Sequence, residues 1–101
     1  MAEQISERLI EELKEVVTEF LRDYDVKVIL FGSRARKDHH TGSDIDIGLI
    51  PYSVLDQSII TLLREKVEQL NIPYKVEIID FSKTSKSFQK EALKEAVIWK
   101  D

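Results

Sequence analysis

Residues 31–49 read FGSRARKDHHTGSDIDIGL and join two different kinds of apolar segment. The stretch begins where the continuous apolar run of residues 26–31 stops at Gly32-Ser33. It ends with Asp44-Ile45-Asp46, in which two carboxylates alternate with aliphatic side chains. A short continuous apolar run predicts a buried strand, and alternation predicts a strand with one polar face. We therefore expect two strands connected through a glycine-serine turn, with ten residues between Ser33 and Asp44.

The rest of the chain alternates between helical and strand patterns. Apolar residues recur at helical spacing in three longer segments, and a short helix is expected just after Gly32-Ser33. A further apolar run between turn residues reads as a third strand. The predicted helices cover residues 5–22, 34–37, 53–70 and 85–98, and the predicted strands cover residues 26–31, 44–50 and 74–79. This order predicts an α/β fold, a small mixed β-sheet with flanking helices, in one domain spanning residues 1–101.

The composition narrows the classes of function. The chain has 101 residues, a net charge of −4 and no cysteine, so disulfides and thiolate metal sites are excluded. Only residues 26–50 are net positive, with four basic and three acidic side chains. An acidic protein without a long basic face is a poor candidate for gripping long nucleic acid. No apolar run has the length of a membrane span, and we expect a cytoplasmic protein.

Asp44 and Asp46 are the first candidate metal ligands. Both fall on one face of the predicted strand, where two carboxylates repel each other. A divalent cation offsets that repulsion directly, and side chains at this spacing can converge on two ions. Oxygen ligands favour Mg²⁺, with Mn²⁺ as the second choice. The alternative is two solvated carboxylates on an exposed strand face.

The turn at Gly32 and Ser33 is a candidate phosphate-binding site. Glycine lets backbone N–H groups approach a phosphate closely, and the serine hydroxyl adds a donor. Arg34, Arg36 and Lys37 follow at once, and their cationic groups could reach triphosphate oxygens. The alternative is an ordinary turn followed by solvated cationic side chains.

A two-metal site usually needs a third carboxylate from another strand. Glu77 and Asp80 are the candidates, and strand alternation places them on opposite faces. Periodicity alone therefore leaves the choice between them open. The His39-His40 pair lies between the halves of the motif, where a solvated loop pair is the simpler interpretation than a ligand or a general base.

The combination of Gly32-Ser33, ten intervening residues and Asp44-x-Asp46 resembles the signature of the DNA polymerase beta-like nucleotidyltransferase superfamily. The short chain looks like its minimal nucleotidyltransferase branch. The resemblance implies the nucleotidyltransferase fold, ATP as substrate and Mg²⁺, with two ions, as cofactor. It also implies that Glu77 within Val76-Glu77-Ile78 is the third carboxylate and that Asp80 is the second choice. A glutamate at this position departs from the aspartate of many relatives.

The same resemblance implies a protein partner. Minimal members of the superfamily are often paired with a helical protein of the HEPN type, and several act as antitoxins. Some of them adenylylate a tyrosine of that partner. We therefore expect AMP transfer to a HEPN-type protein, catalysed by Asp44, Asp46 and Glu77. The alternative is a non-catalytic nucleotide-binding subunit or an antitoxin that acts by binding its partner, and homo-oligomerisation stays open.

Overall fold

A computed structural model describes residues 2–36 and 44–101, and in this part of the chain one sheet is combined with four α-helices. The helices are α1 (Ala2–Phe20), α2 (Ser33–Arg36), α3 (Gln57–Glu68) and α4 (Lys86–Leu93). The strands are β1 (Val26–Phe31), β2 (Ile45–Pro51), β3 (Val76–Asp80) and β4 (Val97–Lys100). A short 3₁₀ turn, Phe81–Lys83, connects β3 to the segment that leads into α4.

The sheet has the strand order β3-β2-β1-β4 and is mixed, as predicted. Strand β1 pairs antiparallel with both β2 and β4, whereas β2 pairs parallel with β3. The residues after β1 and the first residues of β2 and β3 consequently meet at one end of the sheet. The two halves of the predicted motif lie at that end.

One face of the sheet is covered by α1 and α3. Alternate residues of β1, β2 and β3 point to this side, and most are fully or almost fully buried, among them Val28, Ile47 and Ile78. Leu13 and Leu63 supply the helical side of the same core and are 0% exposed. Each buried aliphatic side chain contributes roughly 1.5–3 kcal/mol, so this layer supplies most of the stability. None of the helices in residues 2–36 and 44–101 combines the length and the hydropathy of a membrane span.

The opposite face carries a smaller aromatic cluster. Phe31, Phe81 and Phe88 contact one another edge to face, with ring centroids 5.3 to 6.0 Å apart. Gly48 makes room for this cluster, because an added Cβ there would lie 2.7 Å from Cε1 of Phe81.

All four predicted helices have different bounds in the structure, and the largest differences are in α3 and α4. The predicted helix 53–70 begins at Gln57, where the side chain of Asp56 accepts a hydrogen bond from the backbone N–H of Ser58 at 2.9 Å. The predicted helix 85–98 is wrong in its second half, because α4 ends at Leu93 and the chain then forms β4. Pairing with the open edge of β1 outweighs the local helical pattern there.

Candidate active site

The turn after β1 depends on glycine for two separate reasons. Gly32 has a φ of +75°, a backbone conformation that residues with a Cβ rarely adopt. An added Cβ would also lie only 2.6 Å from Oδ2 of Asp46, so this carboxylate rests directly on the Gly32 backbone. Ser33 then begins α2, and the N–H of Ala35 donates to the Gly32 carbonyl at 3.1 Å. The glycine therefore joins the predicted phosphate-binding turn to the carboxylate strand.

Asp46 occupies the middle of this end of the sheet. It is paired in register with Phe31 of β1 and with Glu77 of β3. Register partners on neighbouring strands share a face and are separated by about 4.8 Å at the backbone. Partial burial raises the pKa of Asp46, and the negative charges of Glu77 and Asp44 raise it further, while Lys75 acts in the opposite direction. The structure thus concentrates negative charge around a half-buried carboxyl group.

Asp44 lies immediately before β2 and is exposed. Its place is fixed by the parallel pairing, because the N–H of Ile45 donates to the carbonyl of Lys75 at 2.8 Å. Asp44 contributes to the raised pKa of both Asp46 and Lys75, which shows that the three charged groups share one electrostatic environment.

The register of β3 separates Glu77 from Asp80. Glu77 lies beside Asp46 on the same face, whereas Asp80 is paired with Leu49 and points to the other face. Asp80 is 7% exposed and accepts hydrogen bonds from Gln57 Nε2 at 3.1 Å, Ser82 N at 2.9 Å and Ser82 Oγ at 2.6 Å. Burial works to raise its pKa, but these hydrogen bonds outweigh it and lower the pKa. Asp80 caps the 3₁₀ turn and does not belong to the cluster of acidic residues formed by Asp44, Asp46 and Glu77.

Lys75 is a member of the site that sequence reasoning missed. Its Nζ lies 2.9 Å from Oε1 of Glu77. The hydrogen bond and the charge of Glu77 raise the pKa of Lys75, and both aspartates add to this. The signal was present in the sequence, because residues 75 and 77 have the two-residue spacing of one strand face.

The cationic residues after Ser33 are not all directed at the turn. Arg34 is 3% exposed, and its guanidinium carbon lies 4.6 Å from the centroid of the Tyr74 ring. This cation–π contact anchors α2 to the segment before β3. The side chain of Arg36, and the whole of Lys37 and the His39-His40 pair, lie outside the described residues.

The side chains at this end of the sheet offer the type of ligand atom that a hard divalent cation prefers. Asp44, Asp46 and Glu77 offer carboxylate oxygens only, the ligands that Mg²⁺ prefers. The raised pKa of Asp46 is the electrostatic cost that a cation would offset. In residues 2–36 and 44–101, however, no three acidic, histidine or cysteine side chains are already arranged as a metal-binding group. Glu77 is instead held by Lys75.

Comparison with known proteins gives concordant matches. The family model described as Polymerase beta, Nucleotidyltransferase matches residues 11–101. A Haemophilus influenzae protein named probable protein adenylyltransferase MntA is 29% identical over 77 residues, which cover 76% of this chain and 66% of that protein. The chain therefore spans slightly less than two thirds of the length of this relative.

Solved structures share the fold at low sequence identity. A toxin–antitoxin structure with AMP-PNP has a TM-score of 0.66 and 22% identity, covering 85% of this chain and 71% of the other. A Shewanella oneidensis complex of a tri-AMPylated HEPN toxin with an MNT antitoxin has a TM-score of 0.62 and 20% identity, covering 88% and 70%. These likenesses confirm the predicted α/β architecture.

Proposed function

The chain belongs to the polymerase beta nucleotidyltransferase family, and on this premise we propose that it transfers a nucleoside monophosphate, AMP from ATP, to a hydroxyl group. One observation carries the proposal. The carboxylate of Asp46 rests on the Gly32 turn on one side and is in register with Glu77 on the other. A phosphate held at the turn would therefore lie next to the acidic residues, which is the placement that nucleotidyl transfer requires.

The turn residues are assigned to the β- and γ-phosphates. Gly32 has a φ of +75° and no side chain of its own, and Ser33 begins α2, so backbone N–H groups of the turn would be available to phosphate oxygens beside the Asp46 carboxylate. The Ser33 hydroxyl supplies a further donor. Arg36 is proposed to contact the phosphates, as the sequence suggested. Arg34, which is buried against Tyr74, is better suited to fixing the orientation of α2 than to direct phosphate contact.

The carboxylates are assigned to metal binding. Asp44, Asp46 and Glu77 would hold Mg²⁺, two ions in the arrangement that the resemblance implies. When bound, the metal supplies positive charge that neutralises the phosphates and the carboxylates together. Glu77 would have to exchange its ion pair with Lys75 for this role.

The proposed reaction is an in-line displacement at the α-phosphorus. The acceptor oxygen forms a bond to phosphorus while the bond from phosphorus to the oxygen that bridges to the β-phosphate breaks. Pyrophosphate leaves, and Glu77 accepts the proton of the attacking hydroxyl. The chain's own contribution is to position the triphosphate and the acceptor and to keep the charges complementary.

The acceptor is proposed to be a tyrosine of a HEPN-type partner. Support comes from the curated relative, which is named as a protein adenylyltransferase, and from structural neighbours crystallised with HEPN toxins. In this proposal the chain is the antitoxin of a toxin–antitoxin pair.

Mass spectrometry of both proteins tests the proposal. The chain is incubated with ATP, Mg²⁺ and the HEPN-type protein encoded nearest to it, and the partner is expected to gain the mass of one or more AMP groups. The variant with Asp44→Asn and Asp46→Asn should give no adduct. The matched control Asp23→Asn removes an exposed carboxylate in the turn between α1 and β1, where Oδ1 lies 3.9 Å from Nε of Arg22, and it should leave the adduct unchanged. No adduct with the unaltered chain under conditions where ATP binds would contradict the proposal.

A second candidate function is favoured by the contact between Lys75 and Glu77. The ammonium group of Lys75 lies 2.9 Å from the carboxylate of Glu77 and would compete with a metal ion for it. Such competition is expected of a protein that binds a nucleotide or a partner without catalysis. Neutralisation of the toxin by the double asparagine variant distinguishes the two. Full neutralisation would establish binding as the function, whereas loss of neutralisation together with the adduct would establish catalysis.

A further inference from the structure

We propose that the outer edge of β3 binds an extended segment of the protein partner, and that Arg64 selects a segment in which an acidic residue is next to the acceptor hydroxyl. The inference rests on the proposed function, which places that hydroxyl beside Glu77, and it adds how the segment that carries the hydroxyl is held. In the described part of the chain, β3 is an edge strand with β2 as its one neighbour. Many sheets bind peptides by adding a strand at such an edge.

The backbone groups of Val76 and Ile78 point away from β2, and they are called the β3 edge below. The carbonyl of Lys75 accepts a hydrogen bond from the N–H of Ile45 on β2 at 2.8 Å. Because alternate residues of a strand direct their hydrogen-bonding groups to opposite sides, those of residues 76 and 78 point outward. The carbonyl of Ile78 agrees with this, since it accepts from Nη2 of Arg64, a side chain of α3, at 2.8 Å. A peptide strand can therefore pair with the β3 edge without disturbing β2.

A strand at the β3 edge would continue a row of residues that crosses the proposed site. Phe31 is in register with Asp46, and Asp46 is in register with Glu77. Register partners share a face and are about 4.8 Å apart at the backbone, so the residue opposite Glu77 in an added strand would point to the same face. The row begins next to the Gly32 turn and ends at the β3 edge. A hydroxyl side chain that extends this row would adjoin Glu77 on the side away from the turn.

The neighbours of that hydroxyl residue would point to the opposite face, where a cleft lies between β3 and α3. The cleft, called the α3 cleft below, has a volume of about 470 Å³, and its lining includes Arg64, Glu68, Val76 and Ile78. The side chains of Val76 and Ile78 contact the main core, so the α3 cleft lies on the face that α1 and α3 cover. A side chain next to the hydroxyl residue would enter this cleft, as alternate side chains do when a peptide joins a sheet edge.

Arg64 gives the α3 cleft a preference for an acidic side chain. Its guanidinium is always charged and has N–H donors besides the one that binds Ile78, and the residue is exposed. Lys75 also lines the cleft, but its ammonium group lies 2.9 Å from the carboxylate of Glu77. Glu68 is one turn further along α3, whereas Arg64 is the charged group that a hydrogen bond fixes at the β3 edge. A carboxylate next to the acceptor hydroxyl would therefore meet a guanidinium, the partner that binds it in two-point geometry.

Calorimetric titration with two peptide probes tests the preference. One peptide has glutamate on both sides of a tyrosine, the other has lysine at both positions, and each is titrated in the presence of AMP-PNP and Mg²⁺. The unaltered chain should bind the glutamate peptide about tenfold more tightly than the lysine peptide. Arg64→Glu should reverse this order, because it reverses the charge at the β3 edge. Lys66→Glu is the matched control, since it makes the same charge change at an exposed position of α3 outside the α3 cleft, and it should keep the order.

Strand pairing is tested separately from charge. Val76→Pro removes an outward N–H group of the β3 edge, and proline is tolerated at the first residue of an edge strand. It should weaken both peptides about fivefold and leave AMP-PNP binding unchanged. A glutamate peptide that is methylated at its backbone nitrogens should bind the unaltered chain more weakly by a similar factor, and this comparison depends on no variant. Thermal unfolding verifies that every variant is folded.

The outcomes separate this inference from the proposed function. Equal affinities of the two peptides, an unchanged order in folded Arg64→Glu, or full affinity of the methylated peptide would overturn the inference and leave the proposed function in place. Binding of neither peptide to a chain that binds AMP-PNP would overturn it as well. Failure of the unaltered chain to bind AMP-PNP would refute the proposed function and this inference with it.

Discussion

Asp46 and Asp80 lie on adjacent strands, and their surroundings differ in a way that separates a functional carboxylate from a structural one. Asp80 accepts three hydrogen bonds at 2.6–3.1 Å, and its pKa is lowered. Asp46 is half-buried against Gly32 beside two further carboxylates, and its pKa is raised. The fold stabilises the charge at Asp80 by itself. At Asp46 it assembles a charge that a bound cation would stabilise.

The largest expected effect comes from removing the uncompensated charges. Asp44→Asn with Asp46→Asn should lower the rate of nucleotidyl transfer by at least about 10²–10³-fold. The thermal midpoint should stay constant or rise, because repulsion among the carboxylates is relieved. Rate measurements and thermal unfolding on the same preparation test this. A variant that is inactive because it is unfolded would contradict the distinction between the two aspartates.

Replacing the glycine beneath Asp46 should damage stability and activity together. Gly32→Ala forces a Cβ into a conformation with φ of +75°, at a cost of roughly 1–2 kcal/mol, and displaces the Asp46 carboxylate. We expect a lower free energy of unfolding and a lower transfer rate per folded molecule.

Gly48→Ala is the matched control for that variant. Its Cβ would meet Phe81 at 2.7 Å, so overpacking should cost about 1–3 kcal/mol. Because this contact lies in the aromatic cluster, the rate per folded molecule should be retained. Equal loss of rate in both alanine variants would show that the Gly32 contact has no special role.

Asp80→Ala should affect stability alone. The substitution leaves Gln57 and Ser82 without their acceptor, and the free energy of unfolding should fall by about 1–3 kcal/mol. Denaturant unfolding measures this change, with Asp23→Asn as the exposed control. Loss of nucleotide binding by folded Asp80→Ala would place Asp80 in the site after all.

The two aspartates should also have opposite effects on the pH dependence of stability. The pKa of Asp46 is raised above 3.8 in the folded protein, so its contribution to stability is largest at low pH and is lost as the pH rises through the raised pKa. Asp80 has a pKa lowered below 3.8, so its contribution is present above 3.8 and is lost as the pH falls. Between pH 3 and 7, the thermal midpoint of Asp46→Asn relative to the unaltered chain should therefore increase as the pH rises. The thermal midpoint of Asp80→Asn relative to the unaltered chain should decrease over the same range. Parallel curves would contradict the assigned shifts.

The smallest expected effect concerns Lys75. Lys75→Met removes the ammonium group that competes for Glu77, and Mn²⁺ should bind up to about fivefold more tightly in the presence of AMP-PNP. Calorimetric titration measures this, and Lys66→Met on α3 is the control. Weaker Mn²⁺ binding in Lys75→Met would mean that Lys75 supports the site instead of competing with the metal.

Much of this architecture is encoded in local patterns. The run Val26–Phe31 predicts β1 with its bounds, and the alternation from Asp44 onward predicts the polar face of β2. The helices α1 and α3 follow from helical spacing of apolar residues, with errors only at their ends. These features are determined by residues close in sequence, so a single sequence suffices.

The features that residue periodicity alone does not predict depend on distant partners. Residues 88, 92, 96 and 99 continue one helical stripe, and only the open edge of β1 makes Val97–Lys100 a strand. The choice of Glu77 over Asp80 needed the register between β2 and β3, which periodicity does not contain. The burial of Arg34 against Tyr74 likewise joins segments forty residues apart in sequence. Long-range pairing decides all three.

Titration with Mn²⁺ and AMP-PNP tests the central claim most directly, when it is applied to Asp46→Asn and Asp80→Asn side by side. The account predicts that Asp80→Asn, once shown to be folded, binds both with the affinity of the unaltered chain. It predicts that Asp46→Asn loses at least about tenfold in Mn²⁺ affinity. Equal affinities in the two variants, or a larger loss in Asp80→Asn, would contradict the assignment of the metal and the nucleotide to the end of the sheet where Gly32, Asp46 and Glu77 lie.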